Sequence, residues 1–161
     1  MFGLGASLLA TDDAEEILSS VEWMAAGFEI VQCPFPGWRF AAADCTAAFG
    51  LHGALVVGTP VAVDSHARTA IAKTLATFTA TLSRDGSVVE QGTGANVLGS
   101  PALALGYLAR TVAEQPQLAP PTRGQVVTTG TLTDALPVKP GERWTSDYDA
   151  LGVDGLAVTF T

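Results

Sequence analysis

Few side chains in this sequence are equipped to move a proton or hold a small ligand at neutral pH. His52 stands directly before the apolar run Gly53–Gly58. An imidazole titrates near neutrality and can act as general acid or base, and it can equally serve as a structural histidine beside a buried strand. Thr131 occupies a Thr-Gly-Thr turn, where a hydroxyl and backbone N–H groups can hold an anion, and where a plain turn threonine also fits. Ser100 precedes Pro101 at a helix start; such an N-terminus either faces an anion or is simply capped. Glu29 opens a short Glu-Ile-Val run, and taken alone it reads as a solvent-facing strand glutamate. Cys33 and Cys45 lack CxxC spacing, so they form neither a disulfide scaffold nor a zinc site, and they read as small buried residues.

These residues need elements to position them. Phe2 to Leu9 is short, apolar and glycine-containing, and reads as a strand or the tail of one. Residues 12 to 27 read as a helix: Asp13 and Glu16 fit a capping pattern, and Ile17, Val21, Met24 and Phe28 recur at helical spacing. Glu29-Ile30-Val31 continues as a strand. Prolines 34 and 36 with Gly37 make a loop, Ala41 to Phe49 a short helix, and Gly53 to Gly58 a buried strand. Residues 74 to 82 alternate apolar and threonine and predict a half-buried strand, which Asp85-Gly86 turns into a hairpin. A helix follows Ser100 and Pro101 with Leu105, Leu108 and Val112 on one stripe. Strands are expected near 125–129, 142–148 and 155–161. The order argues for an α+β fold with a largely antiparallel or mixed sheet, built as a single domain over 1–161.

Composition narrows the classes. Of 161 residues 48% are hydrophobic and 15% charged, enough for one sizeable core and unlike a disordered chain. The net charge of -8 and the lack of any Lys/Arg-rich run argue against nucleic acid and anionic membrane as partners. No basic n-region or bilayer-length apolar run is present, so a soluble cytoplasmic protein is expected.

Three stretches share an order with one family: Gly92-Thr-Gly-Ala-Asn-Val-Leu-Gly-Ser-Pro101 before an amphipathic helix; Val126-Val-Thr-Thr-Gly-Thr-Leu-Thr-Asp-Ala135 followed by Pro137 to Gly141; and Phe28-Glu-Ile-Val31, Trp38-Arg39, Asp44 and Gly53 to Gly58. Together they resemble the C-terminal part of the fumarylacetoacetate hydrolase superfamily, in the branch of 2-oxopent-4-enoate hydratase and 4-oxalocrotonate decarboxylase. The resemblance implies a mixed β-roll, usually in a homo-oligomer, that acts on a small 2-oxo or 2-hydroxydienoic acid with Mg²⁺ or Mn²⁺. It implies Glu29 as a metal ligand, the third acid beside a Glu-x-Glu pair, and Thr131 as a contact for the substrate carboxylate. Ser100 is a further candidate for that pocket.

The sequence also departs from the pattern. No Glu-x-Glu lies between Met1 and Thr11, and the pattern places it immediately before Met1. Where many hydratases carry an Asp-Asn pair, this chain has Ala48-Phe-Gly-Leu-His52, which makes His52 the candidate catalytic acid or base. Two functions follow as expectations. The first is a metal-assisted hydro-lyase that hydrates 2-hydroxypenta-2,4-dienoate in aromatic catabolism. The second is a truncated relative without catalysis, acting as a binding or partner subunit.

Overall fold

The computed structural model describes residues 1–161. Its strands form three sheets in which every pairing is antiparallel. The first sheet contains β1 (Phe2–Leu4), β2 (Val21–Met24), β5 (Val61–Ala62) and β8 (Val126–Val127), in the order β5-β2-β1-β8. A two-stranded ribbon pairs β3 (Gly27–Val31) with β4 (His52–Val57). The third sheet holds β6 (Thr79–Arg84), β7 (Ser87–Thr93), β9 (Arg143–Tyr148) and β10 (Leu156–Thr159), in the order β10-β9-β6-β7. Four helices accompany them: α1 (Ala14–Leu18), α2 (Ala42–Ala47), α3 (Arg68–Thr77) and α4 (Pro101–Ala113). The α+β class expected from the sequence is the class observed.

Phe2, Leu4, Ile17, Leu18 and Leu105 are almost wholly buried and join the first sheet, α1 and α4 in one core. A methyl at Gly106 would sit 2.4 Å from Thr11 O and 2.7 Å from Ile17 Cδ1, so α4 approaches the α1 segment as closely as it does only because a side chain is missing there. Asp13 caps α1 by accepting from Glu15 N and Glu16 N.

Three expectations are corrected. The helix read over 12–27 ends at Leu18, and Val21–Met24 is a strand. Phe2 faces Met24 and Gly3 faces Trp23, yet Leu4 faces Val21, so Glu22 bulges outward. The bulge buries Val21 and Met24, three residues apart, on the core side, and this spacing imitates a helical stripe. The strand read over 74–82 begins only at Thr79, because α3 takes residues 68 to 77. The strand expected at 53–58 is present as β4, but it is not buried: none of its residues is buried and Val57 is 41% exposed, because it pairs only with β3 in a two-stranded ribbon. The hairpin turns at Asp85 (φ 51°) and Gly86 (φ 82°), the positive angles that Asp-Gly accepts.

Between β3 and β4 the chain makes an excursion carrying α2. No residue of α2 is buried, and Trp38, Phe40 and Phe49 are exposed.

Candidate functional site

The excursion returns the chain to β3 with a change of register that brings two polar side chains together. Ile30 faces Ala54, but Val31 faces His52, so Gly53 is the extra residue. Glu29 and Val31 share a face of β3, which makes His52 the diagonal cross-strand neighbour of Glu29. His52 Nδ1 lies 3.0 Å from Glu29 Oε1. An ionised carboxylate can only accept, so the geometry assigns the donated proton to Nδ1, and in a neutral ring Nε2 is then an acceptor. The side chains are 42% and 40% exposed, so the pair adds at most about 1 kcal/mol to stability.

Glu29 lines a cavity of about 1020 Å³; His52 stands outside its lining. Three walls meet there: β3, the segment 128–138, and one face of the β9 sheet. Trp144, Ser146 and Tyr148 alternate along β9, and the register sets Leu82 and Leu156 beside Ser146. Most lining residues are hydrophobic. The charged side chains are Glu29 and Asp134, both acidic, with no Lys, Arg or His among them; Met1 also lines the cavity, and its amine donates to Ala25 O at 3.0 Å and is lowered by burial to a pKa of about 6. Burial pushes the Tyr148 phenol above its ordinary value. Hydrogen bonding with Ser146 and the Gly27 backbone opposes that shift, and the charge of Asp147 adds to it.

Thr131 lies in the second wall with its Oγ1 donating to Thr133 O at 2.8 Å. The segment is tied down beside it. Asn96 Nδ2 donates to Leu132 O (2.8 Å), and Asp134 N donates to Glu90 Oε2 (3.0 Å). Gly92 makes room, since a Cβ there would stand 2.0 Å from Leu132 O. The Gly92–Pro101 motif thus seats the 128–138 segment against the cavity.

Ser100 is 2% exposed and its Oγ accepts from Ala102 N at 3.3 Å. Pro101 lines the cavity and Ser100 does not; the structure places Ser100 as the cap of α4. Cys33 and Cys45 are free and half-buried rather than buried.

The chain brings together no group of three or more His, Cys, Asp or Glu side chains able to hold a metal ion. Of the two carboxylates in the cavity lining, Glu29 and Asp134, Glu29 is already engaged by His52. Mg²⁺ demands near-octahedral oxygen coordination, so the residues present do not fit a complete site for Mg²⁺ or Mn²⁺.

Sequence reasoning passed over Ser146 and Tyr148. Their signal was the alternation of Trp144, Ser146 and Tyr148 in a strand whose partner strand also alternates.

With the geometry in view, comparison with known proteins supplies the relationship. The chain is 28% identical over 149 residues to a 2-hydroxyhexa-2,4-dienoate hydratase of Comamonas testosteroni, covering 90% of this chain and 52% of that enzyme. It superposes with a TM-score of 0.84 on a 4-oxalocrotonate decarboxylase from Pseudomonas putida G7 complexed with magnesium and adipate, at 22% identity, covering 99% of this chain and 57% of that one. A yeast fumarylacetoacetate hydrolase family protein matches at a TM-score of 0.61 and 14% identity, covering 99% and 62%. This chain has the fumarylacetoacetate hydrolase fold. Its sequence is similar to the hydratase and decarboxylase branch, as the three motifs implied. The chain spans about half the length of the curated relatives it matches. No protein-family model matches it. No helix is long and apolar enough to cross a membrane.

Proposed function

We propose that this chain binds a small 2-oxo or 2-hydroxydienoic acid in the cavity and handles its enolate proton, as in a hydro-lyase of the 2-oxopent-4-enoate hydratase type. The observation that carries the reading is the Glu29–His52 pair, 3.0 Å apart, with Glu29 in the same cavity wall system as Thr131.

Hydration of 2-hydroxypenta-2,4-dienoate to 4-hydroxy-2-oxopentanoate delivers one proton to C5 and one to C3 and a water hydroxyl to C4; one of the protons comes from the 2-hydroxyl, which becomes the ketone, and the other from the water. The first need is a group that gives and takes a proton at the ligand. Glu29 faces the cavity, while His52 behind it holds the shared proton through Nδ1 and exchanges with solvent through Nε2. The second need is a seat for the substrate carboxylate. The turn at Gly130 and Thr131 offers backbone N–H groups and a hydroxyl that can turn from Thr133 O toward an anion. Ser100 enters the reading as the cap that fixes the α4 end of the cavity. The apolar walls hold the carbon chain and keep water from it.

Relatives in this fold were solved with magnesium, calcium or manganese. In this reading a divalent cation would draw ligands beyond those this chain supplies, and none of the steps above passes through it. Homo-oligomerisation belongs to the reading as well, with exposed Trp38, Phe40 and Phe49 as its available apolar surface.

The test is a partial reaction. Hydrogen–deuterium exchange at C3 of 2-oxopentanoate in D₂O, followed by NMR, reports enolisation without requiring hydration. The chain is expected to accelerate exchange about 100-fold over buffer, the lower end for a positioned acid–base group. Glu29→Gln abolishes the acceleration and His52→Gln reduces it about tenfold. Exchange at the buffer rate, or full acceleration in Glu29→Gln, refutes the proposal.

A further inference from the structure

Ser146 is 6% exposed and lines the cavity, and its Oγ makes no hydrogen bond of good geometry; its interaction with the Tyr148 hydroxyl, which opposes the rise of that phenol, is too poorly aligned to satisfy it. Buried hydroxyls in folded proteins almost always have a partner, because an unmade bond leaves the desolvation cost uncompensated. The neighbours set by the register are Leu82 and Leu156 across the sheet and Trp144 and Tyr148 along the strand. A serine side chain changes rotamer without moving its backbone, so Oγ can turn to an atom in the cavity.

The charges around the cavity limit what that atom is. One ligand carboxylate can use the Gly130–Thr131 turn. A second would meet no Lys, Arg or His side chain in the lining, the Met1 amine being engaged by Ala25 O and lowered by burial to a pKa of about 6, and would face Glu29 and Asp134; a charge buried without a partner is costly. An apolar wall with one free hydroxyl instead suits a neutral tail that carries a single oxygen. The decarboxylase neighbour was solved with adipate, a dicarboxylate; the cavity of this chain offers no Lys, Arg or His side chain for such a second acid group.

We propose that Ser146 is the specificity residue of this cavity, bonding a neutral hydroxyl or carbonyl oxygen on the tail of a 2-oxo monocarboxylate and so selecting monocarboxylates over dicarboxylates. The proposal rests on the reading of the cavity as a 2-oxo acid site.

Isothermal titration calorimetry of the 161-residue chain with three probes tests it: 2-oxopentanoate, 4-hydroxy-2-oxopentanoate and 2-oxopentanedioate. The hydroxylated acid binds roughly fivefold tighter than 2-oxopentanoate, the worth of one net hydrogen bond. The diacid binds at least about tenfold more weakly than either, as expected for an unpartnered charge. Ser146→Ala makes the first two probes equal and leaves 2-oxopentanoate unchanged. Its fold is checked by thermal melting, where loss of an unpartnered hydroxyl leaves the midpoint unchanged or higher. Tyr148→Phe keeps the preference for the hydroxylated acid. A preference that survives Ser146→Ala, one lost only in Tyr148→Phe, or a diacid that binds as tightly as the monoacids overturns the assignment while leaving the 2-oxo acid reading intact. If none of the probes binds, both fall.

Discussion

Replacing Gly92 with alanine tests how the scaffold seats the cavity. The new Cβ would lie 2.0 Å from Leu132 O, a backbone atom that cannot rotate away. Ordinary contact needs a separation more than about 1 Å larger, so the 128–138 segment must retreat. That retreat breaks the Asn96–Leu132 and Glu90–Asp134 hydrogen bonds. The first is a neutral bond and the second is assisted by the Glu90 carboxylate; allowing for their exposure, their joint loss costs about 2 to 3 kcal/mol. The alanine also restricts the unfolded chain, which favours folding by about 0.4 to 1 kcal/mol. The net expectation is a destabilisation of about 1 to 2.6 kcal/mol, read as a lower midpoint in urea at unchanged slope. Because Thr131 lies in the displaced segment, affinity for 2-oxopentanoate falls severalfold in the same variant. A midpoint equal to or above that of the parent chain refutes the reasoning, since steric relief without loss of those bonds would mean that the segment is not tied as described.

Two further outcomes separate structural from ligand-binding roles. Ser100→Ala costs about 1 kcal/mol through loss of the α4 cap, seen in urea denaturation, with the affinity for 2-oxopentanoate unchanged; a loss of affinity without loss of stability would make Ser100 a ligand contact instead. Tyr148 keeps its proton above the ordinary phenol value of 10.0 because burial disfavours the phenolate. The folded state therefore retains a proton that the unfolded state releases, and stability falls as pH rises through 10.0 toward the raised folded value. Ultraviolet titration shows this phenolate appearing late, and Tyr148→Phe removes both the late signal and that part of the alkaline loss; a signal at the ordinary value contradicts the burial argument.

The sequence discloses those parts of the fold that rest on local chemistry. Asp85-Gly86 turns the hairpin because of its own φ preference, and Ser100-Pro101 starts α4 for the same kind of reason. The parts that depend on tertiary contacts are harder to see. Val21 and Met24 are spaced as on a helix, and only the bulge at Glu22, fixed by pairing with β1, makes that spacing a strand. Helix α3 buries only Leu75 fully, and its threonines bond back to Ala70 O and Lys73 O, so its apolar stripe is too thin to stand out. Glu29 and His52 were each visible as candidates for unrelated reasons. Their meeting, 23 residues apart, depends on where the excursion re-enters the ribbon and on the extra residue Gly53. Ser146 escaped notice because an unpartnered hydroxyl is a property of its surroundings rather than of its sequence neighbours.

The exposure of the Glu29–His52 pair bears directly on how strongly this chain can act. At 42% and 40% exposure, water screens the pair and competes for both side chains. An acid–base group gains most when the site excludes solvent and its dipoles are held in place. The apolar walls around Ser146 and Tyr148 meet that condition; the ribbon that carries Glu29 and His52 does not. The two halves of the site therefore have different strengths. The β9 wall can discriminate among ligands in the chain as it stands, whereas proton transfer at Glu29 should sit near the lower end of its range. Any element that covers the β3–β4 ribbon would remove water from the pair and raise the exchange rate without adding a new acid or base. Binding selectivity and enolisation should thus respond independently: Ser146→Ala alters the ratio of affinities at constant exchange rate for 2-oxopentanoate, and His52→Gln alters the rate at constant affinity ratio.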